Sequence, residues 1–337
     1  MEIHQIIKIA LPKDSMRVLG IESTAHSFGA GFVEGGELKS NVVEMYEPEE
    51  GGIHPRKAAD HHARVAGRVV KKALVGVPDA VAYSCGPGLG PCLRVGTVVA
   101  RFLALKLGVP LIPVNHAVAH LEIGLKTTGL KDPVIVYVSG GNTQIITHCG
   151  GWRILGETLD IALGNALDKL ARKLGVGHPG GPEIEKLARK GKFLEMPYVV
   201  KGMDLSFSGL TTHAIRLLEG HRPEDVAFSF QEHAFAMLVE VTERALAHTG
   251  KDETLLVGGV ARNKRLVGMF KKMCAERGAR FRVVPEEFAG DNGTMIAYAG
   301  SLSDLRVPPE KADYFQKIRV DTDLPGLFRA GHKHTSA

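Results

Sequence analysis

The sequence predicts an α/β fold built from two similar halves, and three observations carry that expectation. Three short apolar strand signals follow one another within residues 17–45, a second trio begins at Val134, and alternating helical and strand patterns follow each trio. At 337 residues the chain also exceeds the length at which a single hydrophobic core ordinarily stops growing, so two domains are expected.

In order along the chain, residues 1–15 precede the first core signal and read as an extension or a misassigned start. Residues 17–23, 28–34 and 38–45 are strands, with Gly35-Gly36 as the hairpin turn between the last two, because adjacent glycines accept the positive φ angles of a two-residue turn. Residues 56–74 place Ala58, Ala59, Ala63, Val65, Ala66, Val69 and Val70 mostly at helical spacing. A strand at 79–84, a Gly-rich loop, a helix at 93–107, the strand Leu111-Ile112-Pro113-Val114 and a helix from 116 follow. After Lys131-Asp132-Pro133 the order restarts, with strands at 134–138, 143–147 and 152–155 and a helical block at 164–218. It continues through a long helix near 224–249, strand 254–258, helix 262–277, strand 280–284 and a helix from 291.

A β-β-β-α-β-α-β-α order occurring twice is the architecture of the actin, sugar-kinase and chaperone-ATPase superfamily, a duplicated RNase H-like unit that holds a nucleotide between its halves. That likeness bears on fold and leaves function open. The expected N-terminal domain comprises 16–133 with about 296–325, the C-terminal domain 134–295, and the tail 326–337.

Composition narrows the class. A hydrophobic fraction of 44% and a charged fraction of 23% are those of a globular enzyme rather than a disordered or fibrous chain. No run approaches the ~18 apolar residues that span a bilayer, and the N-terminus lacks a basic segment followed by an apolar one, so a cytoplasmic protein without membrane contact is expected. Cys85, Cys92, Cys149 and Cys274 show no CxxC spacing, which argues against a disulfide framework or a thiolate zinc site. The net charge of +5 suits contact with a polyanion and is equally common in proteins that touch none.

Several motifs carry chemistry. His116 and His120 stand four residues apart at a strand-to-helix junction, so their rings share a helical face and can meet one ion; ordinary surface or core histidines are an equal reading of the pair alone. Ala117 occupies the position of the general-base glutamate of HExxH proteases, which removes that activity. Asp291, between two glycines in Gly290-Asp291-Asn292-Gly293, is the best distant oxygen ligand, and its flanks also suit a helix N-cap. Imidazole and carboxylate together suit iron, zinc, manganese or nickel.

Three glycine loops have the composition of nucleotide contacts. Ser139-Gly140-Gly141-Asn142-Thr143 links two strands, where glycines let backbone N–H groups approach phosphate and a plain hairpin is the competing reading. Gly258-Gly259 follows a strand and opens a helix. Gly86-Pro87-Gly88-Leu89-Gly90-Pro91 reads as a rigid wall or lid, since its prolines lack amide donors. Asp160 and Asp168 are candidate carboxylates for ribose or hydrated Mg(2+), with exposed helix-face acids the usual alternative, and Glu22 ends the first strand where this superfamily commonly keeps an acidic residue near the metal-phosphate site. His54-Pro55-Arg56-Lys57, His61-His62, Arg64 and the basic stretch 186–192 could neutralise phosphates, or simply be solvated faces.

Taken together, Gly20-Ile21-Glu22-Ser23-Thr24, His54-Pro55-Arg56, Gly86-Pro87-Gly88-Leu89-Gly90, Asn115-His116 through His120, Tyr137 through Thr143, His178-Pro179-Gly180-Gly181-Pro182, Ser206-Phe207-Ser208-Gly209-Leu210 and Gly290-Asp291-Asn292-Gly293 occur in the order of one family. From about residue 17 to 325 the chain resembles the universal tRNA threonylcarbamoyltransferases in their archaeal and eukaryotic KEOPS-subunit form, a family once described as O-sialoglycoprotein endopeptidases. The resemblance implies that His116, His120 and Asp291 bind one divalent metal, with Tyr137 as a further ligand, Fe(2+) favoured and Zn(2+) the alternative. It implies an adenine-nucleotide site lined by Tyr137, Val138, Ser139, Gly140, Gly141, Asp168, Gly181, Glu185 and Asn263, with threonylcarbamoyl-AMP or ATP as ligand and Mg(2+) as its companion ion. Asn165 matches the archaeal branch, where bacterial relatives carry glutamate.

The implied reaction is transfer of the threonylcarbamoyl group to the N6 amine of the adenosine 3′ of the anticodon in tRNAs reading ANN codons. Implied partners are tRNA, a small atypical protein kinase near the C-terminal half and a small dimerising subunit on the N-terminal half; no proton acceptor is assigned. The same fold also admits a sugar-kinase-like phosphotransferase, which has no use for a two-histidine metal site, or a nucleotide-gated assembly subunit.

Overall fold

The computed structural model describes residues 15–48, 52–177 and 179–329; most of the extension and tail segments and His178 lie outside the described residues. Two five-stranded sheets form the framework. The first runs β3-β2-β1-β4-β5, from β1 (Arg17–Glu22), β2 (Ser27–Glu34), β3 (Glu37–Met45), β4 (Ala80–Gly86) and β5 (Leu111–Asn115). The second runs β8-β7-β6-β11-β12, from β6 (Val134–Val138), β7 (Thr143–His148), β8 (Trp152–Glu157), β11 (Glu253–Val257) and β12 (Arg280–Val283). In both, an antiparallel meander of three strands continues into two parallel strands, so the expected duplication is present strand for strand. The β2–β3 hairpin turns at Gly35 and Gly36 with φ of 58° and 77°, the two positive angles that this turn requires.

Five layers result. On the outer face of the first sheet lie α1 (Pro55–Ala73) and α2 (Gly90–Leu107), packed on Ile21, Phe28, Phe32 and Tyr83. Between the sheets lie α3 (His116–Thr128) and α10 (Gly293–Leu302), in a core that joins Val18, Ala82 and Val114 of one sheet to Ile135, Leu255 and Val257 of the other. Covering the far face of the second sheet are α4 (Leu163–Lys173), α5 (Gly180–Ala188), α6 (Ser208–Leu217), α7 (Pro223–Thr249) and α8 (Lys264–Arg277).

Close backbone approach fixes the middle layer. A Cβ on Gly20 of β1 would sit 2.2 Å from the Ala297 nitrogen, so α10 rests directly on the first sheet. A Cβ on Gly124 would sit 2.7 Å from Val257 Cγ1, so α3 rests on β11 of the second sheet. The last helix of the first half therefore docks on the second sheet, and α10, after the last strand of the second half, docks on the first. This exchange brings residues 116–120 and 291 together.

The helical block expected at 164–218 is interrupted. After α5 the chain is extended, and β9 (Val200–Lys201) pairs with β10 (Asp204–Leu205) around Gly202, which has φ of 62°. Pro197 cannot continue a helix, and Val199-Val200 favours extended backbone, which accounts for the break.

Candidate functional site

His116 and His120 are the first and fifth residues of α3, whose start is capped by Asn115: its Oδ1 accepts from Ala117 N and Val118 N. Both rings are buried and lie 4.8 Å apart at 86°. The competing reading of Asp291 as an N-cap is set aside by geometry, because Asn292 caps α10, accepting from Met295 N at 2.9 Å. Asp291 instead turns to the histidines, with Oδ1 3.5 Å from His116 Nε2 and 3.3 Å from His120 Nε2. Donors sharing one tetrahedral ion at ~2.1 Å lie about 3.4 Å apart. One donor atom from each of the three side chains falls within 4.8 Å of the others, and this is the one such group among the described residues.

Glu22, at the end of β1, completes the surroundings. It is fully buried; Oε2 lies 2.9 Å from His116 Nδ1 and Oε1 accepts from Thr24 N at 2.6 Å. With Nδ1–H donated to Glu22, His116 presents Nε2 to Asp291, the orientation of a metal-ligating imidazole backed by a carboxylate. Burial disfavours the charged ring, but the Glu22 and Asp291 carboxylates outweigh it and lift His116 to about 9. Burial holds His120 below its ordinary value. The Asp291 carboxyl, which burial alone would raise, is held well below the usual carboxylate range by the two imidazoles.

Tyr137, second from last in β6, lies beside His120 with ring centroids 5.2 Å apart. It is fully buried, and its hydroxyl lies near the Ser139 and Asn142 side chains without a well-formed hydrogen bond to either; burial, with Asp291 nearby, raises its pKa. Leaving a buried hydroxyl unmatched is costly. An unmatched phenol beside two imidazoles and a carboxylate is a donor set that fits a borderline divalent ion, so the residues suit the metal.

The β6–β7 loop continues from Tyr137 and Val138. Ser139 N donates to Asn142 O and Asn142 N to Ser139 Oγ, which leaves Gly140 and Gly141 at the tip with open space at each Cβ position. The second glycine loop adjoins it: a Cβ on Gly258 would sit 2.3 Å from Val138 O. The start of α4 abuts the same turn, where a Cβ on Gly164 would sit 2.5 Å from Ser139 O. Asp168 of α4 accepts from Gly180 N at 2.7 Å, placing Gly181 in the first turn of α5. Glu185 of α5 accepts from Lys264 N at 3.1 Å. Asn263 caps α8 and donates to Gln231 Oε1. The residues expected to line a nucleotide site thus fall on a connected set of elements at the C-terminal ends of β6 and β11, the edge where open α/β sheets receive ligands.

Other expected residues have structural duties. Asp160 accepts from Ile161 N, Phe207 N and Ser208 N, clasping the Ser206–Leu210 segment; burial pushes its pKa up, but these N–H groups outweigh it and hold it low. The Gly86–Gly90 loop, cis at Gly86-Pro87, is pinned as a wall: Leu89 N donates to Thr24 O and Gly88 N to Gln316 O. His62 of α1 reaches Ala25 O at 3.0 Å and so steadies the loop carrying Thr24. Sequence reasoning missed the Glu22–His116 contact; the 303–320 segment, expected with the first half, is fastened there by Phe315 N donating to Cys85 O and Arg319 O accepting from Asn115 Nδ2. Glu22 at the end of a strand was a sequence signal for an acid near the site, but its pairing with His116 was not.

Fold and site together define a two-sheet α/β protein of the actin-like class with a His-His-carboxylate cluster where α3 and α10 cross. HypF of T. kodakarensis shares the fold, with a TM-score of 0.61 and 18% identity over 86% of this chain and 47% of its own. So does the activator of the 2-hydroxyisocaproyl-CoA dehydratase from Clostridium difficile with bound ADPNP, with a TM-score of 0.52 and 12% identity over 85% and 94%. Sequence similarity is far closer elsewhere. Residues 37–298 match the family described as TsaD, tRNA N6-adenosine threonylcarbamoyltransferase. Proteins of that description are 54% identical in Thermofilum pendens, over 91% of this chain and 96% of the relative, and 57% identical in Archaeoglobus fulgidus, over 91% and 98%. A probable bifunctional tRNA threonylcarbamoyladenosine biosynthesis protein of Methanosarcina mazei is 55% identical over 87% of this chain and 57% of its own length. The chain belongs to the tRNA N6-adenosine threonylcarbamoyltransferase family, and it is a transferase of tRNA threonylcarbamoyladenosine biosynthesis.

Proposed function

We propose that the chain transfers the threonylcarbamoyl group from threonylcarbamoyl-AMP to the N6 amine of the adenosine 3′ of the anticodon in tRNAs reading ANN codons, as catalytic subunit of a KEOPS-type complex. The observation that carries this reading is the continuity of Tyr137, beside the His116-His120-Asp291 cluster, with the open turn of Gly140 and Gly141. A nucleotide whose phosphate lies at that turn has its acyl end directed toward the cluster.

In the reaction the N6 nitrogen bonds to the carbamoyl carbon, the bond from that carbon to the phosphate oxygen breaks, and AMP leaves while the amine gives up a proton. His116, His120, Asp291 and Tyr137 would hold one divalent ion, Fe(2+) by family resemblance with Zn(2+) the alternative. When bound, the ion supplies positive charge against the carbonyl oxygen on which charge develops. Glu22 holds the His116 ring in one tautomer. The backbone N–H groups of the 139–141 turn would face the departing phosphate. Glu185 and Asn263 would meet the nucleoside, and Asp168, by holding Gly180, positions Gly181 beside it; Mg(2+) would accompany an ATP ligand.

The partner assignments rest on the same reading. An exposed apolar stripe on α2, made by Val98, Phe102 and Leu105 at helical spacing, supports a protein partner on the first half, where the small dimerising subunit is expected. The small atypical kinase is assigned to the second half.

The test is reconstitution. The purified chain, its partner subunits, threonylcarbamoyl-AMP and unmodified tRNA are combined, and nucleosides are analysed by mass spectrometry. Threonylcarbamoyladenosine should form and disappear with His116→Ala. Transfer at the normal rate by a variant verified to be metal-free would contradict the proposal.

A further inference from the structure

The inserted helices α4 and α5 each carry a basic triplet at i, i+3 and i+4: Lys169, Arg172 and Lys173 on one, Lys186, Arg189 and Lys190 on and just after the other. That spacing puts each triplet on a single face, away from the buried Leu170 and Ile184 sides. All six are exposed, and none is in an ion pair among the described residues. The neighbouring α7–α8 surface behaves differently, with Arg244 on Glu240, Arg265 on Glu232 and Arg277 on Glu243. Within residues 163–192 seven lysines and arginines stand against three acids, a net +4 in a chain of net +5. What sets this segment apart is that its six clustered cations are exposed and outside every ion pair among the described residues.

The two triplets border two grooves, one of which holds the candidate site residue Glu185. At one end, Arg172 Nη1 lies 3.1 Å from the Cβ position of Gly52, in the loop that lines a groove with Lys57 and Arg64. At the other, Arg189 shares a groove of about 450 Å³ with Glu185, Gln231 and Lys264. Among the described residues no large apolar side chain is exposed between positions 160 and 192, and Leu159 and Phe193 stand exposed at the two borders of that segment. Protein–protein interfaces depend on an apolar centre, whereas nucleic-acid interfaces are polar and strongly positive.

We propose that the α4–α5 face docks the sugar-phosphate backbone of the RNA substrate and so delivers the reacting loop to the cluster at α3. This rests on the RNA-modifying reading above. Lysines and arginines here neutralise phosphates and read no base, so affinity is salt-dependent and sequence-tolerant.

The experiment measures binding of unmodified tRNA to the full chain between ~50 and ~200 mM salt by fluorescence anisotropy, each ~0.9 of slope corresponding to one phosphate contact. The variant K173A/K186A/K190A should bind tRNA at least ~10-fold more weakly, with a slope shallower by about 2 to 3. Its metal content and adenine-nucleotide affinity should be unchanged. The control K39A/K71A/K72A, which removes the same charge from β3 and the far end of α1, should bind as the parent does. Unchanged tRNA binding in the first variant, or an equal loss in the control, would overturn the proposal. So would loss of a partner subunit with tRNA affinity intact, which would assign the face to an acidic protein. If the face binds tRNA but no modified adenosine forms, the docking stands and the reaction assigned above fails. If modified adenosine forms while the first variant keeps full tRNA affinity, the reaction stands and the docking fails.

Discussion

Between β3 and α1 the first half spends residues 46–54, whereas between β8 and α7 the second half spends 158–222 and builds α4, α5 and α6 there. The strand orders are otherwise the same, so what separates the halves is what their cleft edges carry. The first half ends its central strand in a buried acid, Glu22, and sends His116 and His120 across on α3. The second half ends its central strand in Tyr137, Val138 and an open glycine turn, backed by the inserted helices with Asp168, Gly181 and Glu185. The two edges share a strand order, and the insertion and the exchange of α3 and α10 make them chemically different; the proposed metal site draws His116 and His120 from the first and Asp291 and Tyr137 from the second.

The largest expected effect comes from cutting the link between the halves. Asp291→Ala should lower metal affinity by more than the ~10–100-fold typical of outer-shell changes, read by metal analysis after dialysis, while nucleotide affinity holds. Next is the docking of α10: Gly20→Ala forces a Cβ against the Ala297 nitrogen and should cost on the order of 3 kcal/mol in urea unfolding. Glu22→Gln keeps the shape but offers either an amide oxygen or an amide N–H to His116 Nδ1. A ~10-fold or greater loss of metal affinity with unchanged unfolding stability is expected, and equal affinity would show that the carboxylate has no part in the metal site.

The smallest effect is a pH dependence confined to the first half. Burial holds His62 down to about 4, against the Ala25 carbonyl and Glu22, which favour its charged form, and with His61 and His26 opposing it. Its neutral folded form is stabilising above the unfolded pKa near 6.5, and that contribution declines as pH falls from about 6.5 toward 4. Between about pH 7 and 5.5 the loss attributable to His62 should be about 1 kcal/mol. His62→Gln should show a correspondingly flatter unfolding profile over that range.

Much of this is legible in the sequence. The Gly35-Gly36 hairpin, the restart at Val134 and the long helix ending at Thr249 follow from local periodicity and turn chemistry, which the chain obeys element by element. The spacing of His116 and His120 on one helical face is equally local. Asp291 is ambiguous in sequence because two adjacent residues, Asp291 and Asn292, can each cap a helix, and only packing shows which of them does. The Glu22–His116 contact depends on the placement of β1, β4 and β5 in one sheet, a long-range fact with no local trace. Over residues 189–207 the apolar content of the surrounding block favours helix, and Pro197 and Gly202 override it in the structure.

The proposal is that metal and nucleotide occupy adjoining sites that meet at Tyr137, the metal held by His116 and His120 of the first half with Asp291 and Tyr137 of the second, the nucleotide by the second half. It is tested most directly by measuring divalent-metal content and adenine-nucleotide affinity together, on the purified chain and on His116→Ala. One ion per chain is expected in the parent, none in the variant, and the same nucleotide Kd in both. A variant that keeps its ion, or that loses metal and nucleotide together, would contradict it.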